Sequence, residues 1–70
     1  MYLVLELQTN DGVMSTIPLQ FETLDLAMQK YYQILSFAVV STIDCHAAIV
    51  MDSRGVVVAN MYYEHNTEAD

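Results

Sequence analysis

Apolar and polar positions alternate at the start of the chain. Leu3, Leu5 and Leu7 share one face over residues 2–8, and Tyr2, Val4, Glu6 and Gln8 share the other, which is the period of a strand. Thr9-Asn10-Asp11-Gly12 reads as a turn, because Asn and Asp tolerate left-handed backbone and Gly has no Cβ. Residues 13–19 return as a second strand. Pro18 has no N–H to donate, so it puts this strand at a sheet edge or ends it early. From residue 24 the period changes. Leu24, Ala27, Met28, Tyr31, Ile34, Leu35 and Ala38 recur at spacings of three and four, with Asp25, Gln29, Gln33 and Ser36 opposite, predicting a helix over 24–40. Thr23 suits its N-cap and Asp25 its first turn, where the helix dipole favours an acid. Residues 45–51 form a third strand. Asp52-Ser53-Arg54-Gly55 fits a type I turn followed by a left-handed Gly, and residues 56–63 return as the fourth strand. That strand is almost wholly apolar on both faces, which places it at the centre of the sheet.

The order β-β-α-β-β predicts an α+β fold: two layers, with a four-stranded, mostly antiparallel sheet and one helix on one face. Seventy residues make one domain, spanning 1–63, with 64–70 as an acidic flexible tail. One helix covers one sheet face, so the other should be polar. Here both faces of the third and fourth strands are mainly apolar. The helix also carries an outer stripe of Leu26, Lys30, Gln33, Phe37 and Val40. Contiguous apolar patches mark contacts, so Val50, Val57 and Met61 on the sheet, with Leu26, Phe37 and Val40 on the helix, are the expected interface residues.

Composition sharpens this reading. Hydrophobic residues make up 54% of the chain and charged residues only 16%. A domain this small leaves much of its surface in water and usually needs a staple. The single Cys45 cannot form an internal disulfide, which leaves self-association, a dimer or higher homo-oligomer, as the expected staple. A net charge of −7 argues against direct nucleic-acid binding and against anionic membrane surfaces. The acids are scattered singly and read as solubilising rather than as a nucleic-acid mimic. No apolar stretch is long enough to cross a membrane. Met1-Tyr2-Leu3 opens without a basic n-region, and one cysteine suits a reducing compartment. The expectation is therefore a cytoplasmic protein.

Candidate chemistry is sparse. Cys45 and His46 are adjacent on a strand and point to opposite faces, so they form no nucleophile–base dyad. Cys45 reads as a small core hydrophobe. His46, His65, Asp44 and Glu64 match no zinc spacing, and no phosphate-binding or nucleophile motif occurs. No catalytic residue, metal or cofactor is expected. His46 reads either as a satisfied structural histidine or, on the uncovered sheet face, as a contact; with Tyr62, Tyr63 and Arg54 it is a candidate for contact with a partner or ligand. Tyrosine, apolar with a polar tip, suits interfaces, and a pocket lined by Tyr and His at a subunit junction is the sharper form of this idea.

Lys30-Tyr31-Tyr32-Gln33-Ile34-Leu35, Ala38-Val39-Val40-Ser41, His46-Ala47-Ala48 and Met51-Asp52-Ser53-Arg54-Gly55-Val56 together resemble a family of uncharacterised, very short proteins encoded in prophages of Gram-positive gut bacteria. The resemblance covers nearly the whole chain and lands on Lys30, Tyr31, Leu35, Val40, Ser41, His46 and Gly55. Cys45 departs from it, standing where the family more often has an aliphatic residue. The resemblance implies a phage or prophage context and no mechanism; it places the expected cytoplasm in a bacterial host cell, with virion association an open alternative. Two functional classes follow. One is a small non-enzymatic accessory protein acting through oligomerisation and protein–protein contacts. The other is an anti-defence protein that inhibits a host immune protein or sequesters a nucleotide-type signal at a subunit junction.

Overall fold

The computed structural model describes residues 1–65. Strands β1 (Tyr2–Asn10) and β2 (Val13–Phe21), helix α1 (Leu24–Val40), and strands β3 (Cys45–Asp52) and β4 (Val57–Glu64) follow in chain order. The strands form one sheet of order β2-β1-β3-β4, antiparallel throughout, with α1 packed on one face. The architecture is the α+β, β-β-α-β-β arrangement that the hydrophobic pattern predicts.

Turn chemistry sets the pairing. Asp11 and Gly12 have φ of 54° and 78° and form a two-residue loop between the paired Asn10 and Val13. Positive φ at both positions is the geometry of a type I′ turn, whose twist matches that of a hairpin. β2 then runs back along the whole of β1, past Pro18 to Phe21, two residues further than its apolar pattern suggests. Pro18 is tolerated because β2 is an edge strand. At the other hairpin Gly55 has φ 83°, and its N–H donates to the Asp52 carbonyl at 3.0 Å.

β4 is an edge strand, not the central one. The β3–β4 turn fixes β4 beside β3, and β1 occupies the other side of β3. An apolar strand does not specify its neighbours; hairpin connectivity does. The inner position goes to β1, whose polar Glu6 and Gln8 satisfy one another beneath the helix.

The helix is capped at both ends. The Thr23 hydroxyl oxygen accepts from the Leu26 N–H at 3.3 Å, satisfying one of the orphan donors of the first turn. At the C-terminus the Ala38 carbonyl accepts from the Ser41 N–H at 3.3 Å and from the His65 ring Nε2 at 2.6 Å. The His65 N–H also donates to the Asp44 carbonyl at 2.7 Å. Glu64 is thus the last residue of β4 and His65 is tied to the helix end, so neither belongs to the expected tail. Residues 66–70, the remainder of that tail, lie outside the described residues. The Asp11 N–H donates to Asp44 Oδ2 at 3.1 Å, joining the β1–β2 turn to the α1–β3 loop.

The core between the layers is small. Val4, Ala27, Tyr31, Ile34, Ala38, Ala48 and Val50 are its buried apolar residues. Alanines on both layers let the helix approach the sheet closely, and Tyr2, Phe21, Met28, Leu35 and Ala59 pack around the rim. Leu24, at the first residue of the helix, stays exposed. α1 lies over the two inner strands, so Ile17 and Leu19 on β2 and Met61 on β4 remain open.

Candidate functional site

The helix chooses which sheet face is buried. It covers the face of Val4, His46, Ala48 and Val50. This corrects one expectation and decides a question that the sequence left open. Val50 has 0% of its surface exposed and is a core residue, not an interface residue. His46 is 4% exposed and lies under the helix, not on the open face. Sheet pleating forces both results at once, because His46 and Val50 lie four positions apart on one strand and must share a face.

The open face therefore carries the odd-numbered residues of β1 and β3 with their register partners on β2 and β4. On β1 it carries Leu3, Leu5 and Leu7. Their register partners are Gln20, Pro18 and Thr16 on β2 and Met51, Ile49 and Ala47 on β3. Cys45 also sits on this face, opposite Thr9 and Glu64; it is half-buried with a free thiol, outside the helix–sheet core where the pattern placed it. On β4, Asn60 and Tyr62 pair with Ile49 and Ala47. The large aliphatic side chains thus lie on the face without a helix, and the small ones beneath it. That size asymmetry was readable in the strands: Ala48 alternates with Ile49 and Met51, and a helix approaches the sheet most closely over the smaller side.

The other candidate surface is the outer helix stripe. Leu26 is exposed, Phe37 is 60% exposed and Val40 77%, as expected of an unpartnered stripe. Val57 and Met61 are also exposed. Met61 pairs with Ala48 on the helix side of the sheet, beyond the reach of α1. Val57 sits at a register shift opposite Met51, where the strand alternation breaks. These exposed residues do not form one patch: Val57 and Met61 lie on an edge strand and the helix stripe lies above.

The polar candidates do not converge. His46 faces Tyr63 across the β3–β4 register, whereas Tyr62 pairs with Ala47 on the opposite face. Arg54 is at the far end of β4, on its own turn. Its Nη2 and Nε donate to Asp52 Oδ2 at 2.8 and 3.2 Å. Asp52 Oδ1 accepts from the backbone N–H groups of Arg54 and Val56 at 2.8 and 3.1 Å. The Arg54 hydrogen bond, with these backbone donors, holds the Asp52 carboxyl below its ordinary range against a smaller opposing effect of burial. The arrangement is a turn lock.

His46 has a partner that its sequence neighbours do not reveal. Its Nε2 donates to Glu6 Oε2 at 2.7 Å, and Gln8 Nε2 donates to the same oxygen at 2.9 Å. Burial pushes the Glu6 carboxyl up, but the bonds from Gln8 and His46 and the electrostatic attraction of His46 and Lys30 outweigh it, leaving its pKa below the ordinary value of 4.5. His46 Nδ1 is buried with no hydrogen-bond partner among the described residues. The pair clamps β1 to β3. Among the described residues no three His, Cys, Asp or Glu side chains gather into a metal-binding group, and no helix is long and apolar enough to cross a membrane.

Two shallow cavities mark the surface. One, of about 390 Å³, lies where the β3–β4 turn meets the start of β1, between Tyr2, Leu3, Gln20, Met51 and Ser53. The other, of about 440 Å³, lies beside the helix between Phe21, Leu26, Lys30 and Tyr32. Neither gathers the His and Tyr candidates. Searches against protein-family profiles, curated proteins and solved structures find no match to this chain.

Proposed function

We propose that this chain is a small non-enzymatic accessory protein, of phage or prophage context, that works by self-association and protein–protein contacts. One observation carries this reading. The larger aliphatic residues of the inner strands, Leu3, Leu5, Leu7, Ile49 and Met51, lie on the sheet face that α1 does not cover, while the covered core is built largely from Val and Ala. A core of that size supplies little stability in a domain of this length, and burying the uncovered leucines against another protein is the direct remedy. The exposed stripe of Leu26, Phe37 and Val40 offers a second contact surface on the opposite side of the molecule. The resemblance of the helix and the β3–β4 hairpin to short prophage proteins supports the context. The test is the solution mass of the purified chain, by light scattering over a wide range of concentrations. A stable multimer is the expected result. A chain that stays monomeric throughout defeats the reading of self-association.

A further inference from the structure

We infer that the open sheet face is the docking surface for a second copy of this chain, giving a two-fold dimer in which two sheets stack face to face with the helices outermost. The inference rests on the proposed self-association and names the surface that carries it.

Charge selects the occupant. The chain carries −7, so two copies repel one another wherever their acids meet. Among the described residues, Glu64 at one corner, paired with Cys45, is the only charged residue whose register puts it on the open face. Glu6 and Asp52 share the helix-side parity of Val4 and Val50, and Asp11, Glu22, Asp25 and Asp44 lie in turns or on the helix. The open face is thus the broad surface across which two acidic copies can meet with least repulsion. Its centre is apolar, with Leu5 between Pro18 and Ile49. Thr9, Thr16, Gln20 and Asn60 surround that centre with neutral polar groups, the layout of an interface with a dry core and a hydrogen-bonding rim.

Area agrees. Strands of eight and nine residues, spaced about 4.8 Å and rising about 3.3 Å per residue, present a flat face of roughly 500 Å². Side-chain relief raises its accessible area toward the roughly 800 Å² per partner that stable interfaces bury. Growth by adding strands at the edges is hindered on both sides. β2 lacks one N–H at Pro18, and the β4 pairing is broken by the register shift opposite Val50 and Met51; both are devices that protect edges. Stacking faces at the usual separation of about 10 Å is the packing left to an uncovered sheet face whose one charged side chain lies at a corner.

The experiment uses the full chain. Light scattering should give twice the chain mass. Leu5→Glu puts a carboxylate at the centre of the face and should weaken association on the order of 100-fold, giving a monomer with unchanged far-ultraviolet circular dichroism. Phe37→Asp, on the outer helix, should remain dimeric. Should Leu5→Glu fail to fold, hydroxyl-radical footprinting of the wild-type chain across a dilution series decides: labelling of the half-buried Leu5, Ile49 and Met51 should rise as the dimer dissociates, while Phe37 is labelled equally throughout. A multimer of any size whose open face labels freely, or one that Phe37→Asp dissociates and Leu5→Glu does not, overturns this inference and leaves the self-association reading standing. A wild-type monomer at every concentration overturns both.

Discussion

Glu6 and His46 are diagonal neighbours on the two inner strands. Gln8, not Glu6, stands opposite His46 in the register, yet the imidazole reaches across to share a 2.7 Å hydrogen bond with the Glu6 carboxylate. Gln8 binds the same oxygen. Three polar side chains thus occupy the end of an otherwise apolar layer, and each depends on the others for its hydrogen bonds.

The first prediction concerns acid. The Glu6 carboxyl has a folded pKa below its ordinary value of 4.5. Between the two values the unfolded chain binds the extra proton, so stability rises with pH there. The contribution of Glu6 is complete above about 4.5 and is lost as pH falls through the folded value. Glu6→Gln keeps an acceptor for His46 but removes the charge. It should cost about 1 kcal/mol at neutral pH and flatten the acid limb of stability. Urea titrations of both proteins across the acidic range check this.

Val50 is a test of the core. With both neighbours on its face, Val4 and Ala59, packed under α1, Val50→Ala removes methyl groups from a site that cannot refill. The expected loss is about 2 kcal/mol, measured by urea unfolding. An interface role would instead lower the assembly constant at unchanged monomer stability.

Gly12 isolates backbone strain from crowding. A Cβ added there meets no atom within 4 Å, yet the residue sits at φ +78°. Gly12→Ala should therefore cost about 1 kcal/mol through conformation alone, and Gly12→Asn, which tolerates left-handed backbone, should recover most of it. Thermal melts of the two variants make the comparison.

Helix capping by His65 can be tested in the same way. Removing the ring that donates to the Ala38 carbonyl at 2.6 Å should cost about 1 kcal/mol and speed amide exchange in the last turn of α1. Unchanged exchange at Val39, Val40 and Ser41 would show that the bond contributes nothing.

Salt should act on assembly in a definite direction. Two copies carrying −7 each repel at long range, and that repulsion is screened over about 8 Å at physiological ionic strength. An apolar, uncharged contact has no ion pairs to lose. Raising salt should tighten the dimer, as read by sedimentation equilibrium. Weakening by salt would point to an interface built on charge.

Local chemistry was legible in the chain. The 3.6-residue period between Ala27 and Ala38, the Thr23 cap, the left-handed Asp11-Gly12 pair and the Gly55 turn each act within a few residues, so the sequence alone determined the five elements, both hairpins and the amphipathic side of α1. Strand alternation likewise sorted residues into two sets per strand, because pleating depends only on parity. Which set the helix would cover is not decided within any one strand: the small residues of β3 hint at it, and the packing of the whole sheet against α1 settles it. Leu3, Leu5 and Leu7 are more hydrophobic than Val4, Glu6 and Gln8, and a ranking by hydrophobicity buries the leucines. The tertiary structure buries the other set. There Ala48, Ala59, Ala27 and Ala38 allow close helix approach, and His46 reaches its carboxylate partner forty residues away. Only that long-range packing moved Val50 and His46 into the core, sent apolar β4 to an edge, and left the leucine face uncovered.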